Sequence, residues 1–164
     1  MKHLIWVFAL LLYSCGDADN CKDNEMYNNT VQEGKAIEFA IKIEGGFIVV
    51  EQISDSKSIL TYSYSHPHCL DIADDELTDI VSFQIPAGST SFSYTTEVEL
   101  LEARAYYRRI AFAPIDVNRI MEGQIDGVLK DNNTWEVNIN IPIVNSTDSS
   151  FPSSIEYSGI FVIQ

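Results

Sequence analysis

Residues 121–143, MEGQIDGVLKDNNTWEVNINIPI, constrain the fold more than any other stretch. Met121, Gly123, Ile125, Gly127 and Leu129 fall at every second position. So do Trp135, Val137, Ile139, Ile141 and Ile143. A period of two sends these side chains to one face of a strand and leaves mostly polar residues on the other. The residues between the runs, KDNNT at 130–134, are rich in types that tolerate left-handed φ. The pattern predicts a β-hairpin with one buried face. Pro142 lies on the polar face and has no N–H for a ladder, so its strand is expected to be an edge or to end there.

The same period recurs upstream. Ile37, Phe39, Ile41 and Ile43 alternate with Glu38, Ala40, Lys42 and Glu44, and Gly45-Gly46 marks a turn. Residues 47–53 form a second, more continuously apolar run. Residues 59–66 alternate again, with Leu60, Tyr62 and Tyr64 on one face. Residues 80–85 are short and apolar, and Pro86-Ala87-Gly88-Ser89 breaks the chain. Phe92, Tyr94, Thr96, Val98 and Leu100 keep the period of two. Residues 91–100 and 105–113 therefore read as strands, although EVELLEARA over 97–105 also suits a short helix. Residues 71–79 have room for a helical turn. A serine-rich loop over 145–154 leads to a last strand at 155–163. Eight or nine short, mostly antiparallel strands separated by turns predict one all-β domain, a β-sandwich or barrel-like fold. No internal repeat is visible.

The first 25 residues do not belong to this pattern. Lys2 precedes nine uninterrupted apolar residues, Leu4 to Leu12. A charged start followed by a short apolar run is the form of an export signal. It is too short for a spanning helix, which needs about 20 apolar residues. Leu12-Tyr13-Ser14-Cys15 resembles the lipobox of bacterial lipoproteins, with Tyr13 where a smaller residue is usual. The resemblance implies that residues 1–14 are removed, that the Cys15 thiol carries a diacylglycerol, and that Cys15 becomes the N-terminus. Gly16 to Glu25 is polar and acidic, with Asp17, Asp19, Asp23 and Glu25. Such a segment cannot bury enough surface to offset its ordering entropy. Residues 15–34 are read as a lipidated tether, and 35–164 as the β domain. A short acidic run after the cysteine is similar to that of outer-membrane and surface lipoproteins of the Bacteroidota type. The expected location is the cell envelope, held through the acyl anchor.

Charge and cysteines narrow the partners. The chain carries 24 acidic residues against 10 basic ones, a formal charge of −14. Such a surface repels phosphate backbones, so nucleic acid is not an expected partner. With Cys15 acylated, Cys21 and Cys69 remain, an even number in an exported chain, and a disulfide between them is expected. A bridge closing that loop contributes about 4 kcal/mol in the chain-entropy account.

Chemistry-bearing motifs are few. His66-Pro67-His68-Cys69-Leu70-Asp71 offers imidazoles suited to zinc or copper, but a site needs three or four ligands, and the segment reads better as a turn beside a disulfide. Asp71, Asp74, Asp75, Glu76 and Asp79 form an acidic loop without the spacing of an EF-hand. No metal or cofactor is therefore assigned. GxSxG, HExxH, P-loop and GxGxxG patterns are absent, and no catalytic residue is assigned. Arg104, Arg108 and Arg109, with Tyr106 and Tyr107, either recognise a carboxylate or sugar acid or pair with the excess acid. The leading functional expectation is a non-enzymatic binding or accessory module, with a glycan or an envelope protein as ligand. The alternatives are a small enzyme cleaving glycans through carboxylates and a structural subunit that adds strands to its neighbours. A shallow aromatic patch favours the first, a cleft with two carboxylates the second, an unpaired edge strand the third.

Overall fold

The computed structural model describes residues 26–41, 48–67, 77–111, 117–131, 133–143 and 153–164. Nine strands form one sheet: β1 (Met26–Ile41), β2 (Ile48–Ser65), β3 (Thr78–Ile85), β4 (Ser91–Tyr94), β5 (Tyr106–Ile110), β6 (Asn118–Arg119), β7 (Gln124–Asp131), β8 (Thr134–Pro142) and β9 (Ser154–Ile163). Their order across the sheet is β4-β7-β8-β9-β1-β2-β3-β5-β6. Every pairing is antiparallel except β1–β9, which is parallel and joins only Thr30 to Val162 and Val31 to Ile163.

The sheet does not close into a barrel. It curls until the inner faces of its two halves share a core, giving a sandwich-like all-β domain. Phe83 of β3 meets Phe92 of β4 with ring centroids 5.4 Å apart, although five strands lie between β3 and β4 in the sheet. Phe92 in turn meets Trp135 at 5.5 Å. The hairpin read from residues 121–143 is β7–β8, and its apolar face, with Ile125, Trp135, Val137, Ile139 and Ile141, is buried in this core. Each large side chain so buried contributes about 1.5–3 kcal/mol. Pro142 closes β8, which lies inside the sheet between β7 and β9.

Three sequence expectations change. First, β1 starts at Met26, so 26–34 is strand rather than tether. Its alternation of Tyr27, Asn29 and Val31 is mostly polar, and what fixes it is the ladder with β2, Met26 opposite Ser65 through Glu33 opposite Ser58. Second, the two runs read as separate strands from 47–53 and 59–66 are joined in one 18-residue strand, β2, over Ile48–Ser65. The register slips where Gly34 sits at φ 69, a conformation that glycine adopts without penalty. Such a bulge bends the hairpin. The outer arm of β1 then crosses the outer face of β3, where Ile37 N–H donates to the buried Gln84 Oε1 at 3.0 Å. Ile37, Ile59 and Tyr106 form a small second core there.

Third, the run 91–100 stops being strand at Tyr94. Residues Glu97–Glu102 form helix α1. Thr96 caps it and Glu99 reaches back to the Thr96 backbone N–H, a full capping box. The helix turns Val98 to solvent and Leu100 into the core, so the period of two over Val98 and Leu100 had no common face. Its C-terminus closes by a Schellman motif: Ala105 N–H donates to Leu100 O at 3.0 Å and Arg104 N–H to Leu101 O at 3.1 Å. That motif puts Arg104 at φ 49. Glycine usually stands at such a position, and a side chain costs about 1 kcal/mol there.

Candidate functional site

The pairing register assembles an aromatic surface at one end of the inner face. Tyr27 faces Tyr64 across the β1–β2 ladder, and Asn29 faces Tyr62. Because β1 and β9 pair at only two positions, they diverge toward the start of β1, and side chains fill the seam. Tyr157 of β9 lies there, 4.7 Å from Tyr62 and 5.9 Å from Tyr27 between ring centroids. Asn29 Nδ2 donates to its hydroxyl at 2.5 Å. Gly159 makes room, since a Cβ at that position would run into the Tyr157 ring. Tyr27 and Tyr64 pack as a tilted pair 4.8 Å apart, and the Tyr64 ring meets the His66 imidazole at 4.6 Å. Tyr62 is buried beneath, whereas Tyr27 is 53 % exposed and Tyr64 and Tyr157 are half-buried. The result is a row of rings open to solvent on one side and anchored to the core on the other. Burial, first of all, and the neighbouring Tyr27 and Asp79 hold the Tyr62 hydroxyl well above its ordinary pKa, so it stays a neutral phenol.

Behind this surface lies a buried charge. Tyr64, Asp79 and Arg109 occupy one row across β2, β3 and β5, and Tyr62, Val81 and Tyr107 the next. Asp79 and Arg109 are each 3 % exposed. Arg109 grips the carboxylate with two bonds, Nε to Oδ1 at 2.8 Å and Nη2 to Oδ2 at 3.0 Å. The Tyr107 hydroxyl donates to Oδ1 at 2.6 Å, and His66 Nε2 lies 2.5 Å from Oδ2. Burial alone would raise the Asp79 pKa. The hydrogen bonds from Arg109, then Tyr107 and His66, outweigh it and leave the carboxylate below its ordinary value. The same contact raises Arg109 further. Tyr107 is raised by burial and by donating to the carboxylate. Two partners at each oxygen occupy the lone pairs of Asp79, so this carboxylate positions its neighbours. Its effect at the surface is to fix His66, whose backbone N–H is also bound, to Leu77 O at 2.8 Å. His66 then holds Tyr64 in place.

The residues singled out from sequence separate. His66 belongs to the Asp79 network. Asp79 is a strand residue facing the core, not part of an acidic loop; the apolar run 80–85 that follows it was the available signal. Arg109 points inward while Arg108, its neighbour on β5, takes the opposite face, and Arg104 sits at the end of α1. Arg109 does pair with acid, and Tyr107 does fill the sheet face. Tyr27, Asn29 and Tyr157 were missed, because their contact depends on β1 lying beside β9. Cys15, Cys21, Cys69, His68, Asp71, Asp74, Asp75 and Glu76 lie outside the described residues. Among the described residues, no three His, Cys, Asp or Glu side chains come together as metal ligands, and no helix is long and apolar enough to cross a membrane. Compared with family models, curated proteins and solved structures, the chain matches none of them.

Proposed function

We propose that this protein is a lipid-anchored envelope protein whose single β domain is a non-enzymatic binding module, and that Tyr27, Tyr64 and Tyr157 are its contact surface. The exposed Tyr27 ring, stacked on Tyr157 and packed against Tyr64, carries the reading. Tyrosine offers rigid apolar area with a polar tip, at little entropic cost on binding. A row of tyrosine faces suits the C–H face of a sugar ring, with the phenol groups left to meet its hydroxyls. A glycan is therefore the ligand class. Strand addition has less support: the edge strands β4 and β6 are four and two residues long and present little ladder.

The anchor rests on the lipobox-like sequence ending at Cys15, with residues 1–14 removed and an envelope location at the outer membrane following from the acidic run after it. A disulfide between Cys21 and Cys69 gains support from register. Met26 is paired with Ser65, and in sequence Cys21 lies five residues before the one and Cys69 four residues after the other. Intact mass of the membrane-expressed protein, beside Cys15→Ala, tests the anchor: a lipid-sized increase lost in the variant is expected. Titration with neutral oligosaccharides tests the surface. Tyr27→Ala and Tyr64→Ala should each weaken binding roughly tenfold, as central aromatic contacts do. Binding that ignores both substitutions would refute the assignment.

A further inference from the structure

We infer a second binding site, on the outer face at the far end of β3, that takes the carboxylate of a sugar acid. A cavity of about 510 Å³ opens between the outer arm of β1 and the end of α1, lined by Phe39, Lys57, Gln84, Glu102, Arg104 and Arg119 among others. It falls within the size range of small-ligand sites and exceeds what a lone inorganic ion fills. It is remote from the tyrosine surface in register: Gln84 is five residues along β3 from Asp79 and faces the opposite side.

Its charge is the first argument. The chain has ten Lys and Arg against 24 acids, yet three of the ten line this one cavity. The Arg119 guanidinium lies 4.5 Å from the centroid of the Phe39 ring, and that of Arg104 lies 6.0 Å from it. Among the described residues, neither has a carboxylate within ion-pair distance. Stacking on the ring orients a guanidinium and leaves its N–H edges available, and that fork matches a carboxylate. Two arginines that have no acid partner among the described residues, on so acidic a chain, mark a place where a ligand supplies the acid.

The second argument is Arg104 itself. The Schellman closure of α1 suits glycine, and the chain instead holds a side chain at φ 49. That conformation aims no apolar group into the core; it carries a guanidinium to the cavity. Backbone strain tolerated at one position, beside a second guanidinium stacked on the same ring, is what a ligand site retains.

Glu102 narrows the ligand. It is a hydrogen-bond acceptor on the rim of a cationic cavity. It disfavours a dianion such as phosphate and accepts from hydroxyls. A single carboxylate for the arginines and hydroxyls for Glu102 together describe a sugar acid.

The test is calorimetric titration of the full mature chain, in detergent, with trigalacturonate, a neutral trisaccharide, inorganic phosphate and an acidic peptide. Saturable trigalacturonate binding that weakens with salt is expected. Arg119→Ala should reduce affinity by about tenfold or more, the usual effect of removing a charged hydrogen-bonding partner. Arg119→Lys, which keeps the charge without the fork, should recover only part of it. Arg104→Gly relieves the backbone, so it should melt no lower than wild type and still bind more weakly; this keeps lost binding separate from lost folding. The neutral trisaccharide should bind wild type and Arg119→Ala equally and without salt dependence, which separates this site from the tyrosine surface. Absence of trigalacturonate binding, indifference to both arginine variants, or tighter binding of phosphate or peptide would each overturn the assignment.

Discussion

The two ends of β3 bury polar groups by opposite means. At one end, on the inner face, Asp79 is buried as an ion and surrounded by charged and neutral donors: Arg109 twice, Tyr107 and His66. At the other, on the outer face, Gln84 is buried as a neutral amide and satisfied by backbone. Its Oε1 accepts from Ile37 N–H at 3.0 Å, and its Nε2 donates to Glu102 O at 3.2 Å. The ionic arrangement holds side chains to one another, and so fixes the tyrosine surface through His66. The amide arrangement holds chain to chain: it ties the outer arm of β1 and the end of α1 to β3. The comparison teaches that the first should be sensitive to partner and pH, and the second to neither.

The largest effect tests the first half of that claim. Arg109→Met leaves Asp79 buried without its counter-charge, and removing one partner of such a pair costs about 3–5 kcal/mol. Chemical denaturation should show this loss. Restoring neutrality with Asp79→Asn in the same chain should recover part of it. If Arg109→Met costs no more than a surface change, Asp79 is not held by charge and the contrast fails.

The pH dependence comes next. The folded pKa of Asp79 is depressed, so its stabilising contribution is fully present above the ordinary carboxylate pKa of about 4 and is lost as pH falls through the lower folded value. Wild type and Asp79→Asn should therefore differ in unfolding free energy at pH 7 and 5 by the same amount. Below pH 4 the gap should close. A Gln84→Ala variant should instead run parallel to wild type throughout, with a loss of about 2 kcal/mol, the desolvation cost of orphaning a buried backbone donor and acceptor.

How far this was legible in the sequence follows the same division. The β7–β8 hairpin was plain, because a period of two over ten apolar positions reports a single face directly. The strand β3 was read from a short apolar run, and β9 from the serine-rich loop that sets it off. Of the site, only the shared face of Tyr62 and Tyr64 on β2 was legible, because the other parts meet through register and topology. Tyr27 gave no apolar pattern of its own, and nothing in residues 26–34 says that they lie between β2 and β9. Asp79 looked like the tail of an acidic stretch until the ladder set it opposite Arg109. The Thr96 cap illustrates the other kind of failure. A local hydrogen-bonded signal at Thr96 and Glu99 overrode a period of two that Val98 and Leu100 carried by coincidence.

The smallest predicted effect concerns how the outer arm reaches Gln84 at all. Gly34 sits at φ 69 where the β1–β2 register slips, and a Cβ there would meet only Asp55 O, at 3.8 Å. Gly34→Ala therefore has no clash to relieve, and its cost is the backbone conformation alone, about 1 kcal/mol. Gly34→Asn should cost less, since asparagine visits the left-handed region more readily. The bulge bends β1 three residues before Ile37, whose N–H Gln84 accepts. If the bend is what brings that N–H to β3, Gly34→Ala and Gln84→Ala act on one interaction, and the double variant should lose less than the two single losses added. Asp79→Asn combined with Gly34→Ala should be additive, because the ionic end of β3 does not depend on the arm. Additivity in both pairs would mean that the bulge and the amide are independent. The β1–β2 ladder and the small core of Ile37, Ile59 and Tyr106 would then bring the arm to β3 without the bend.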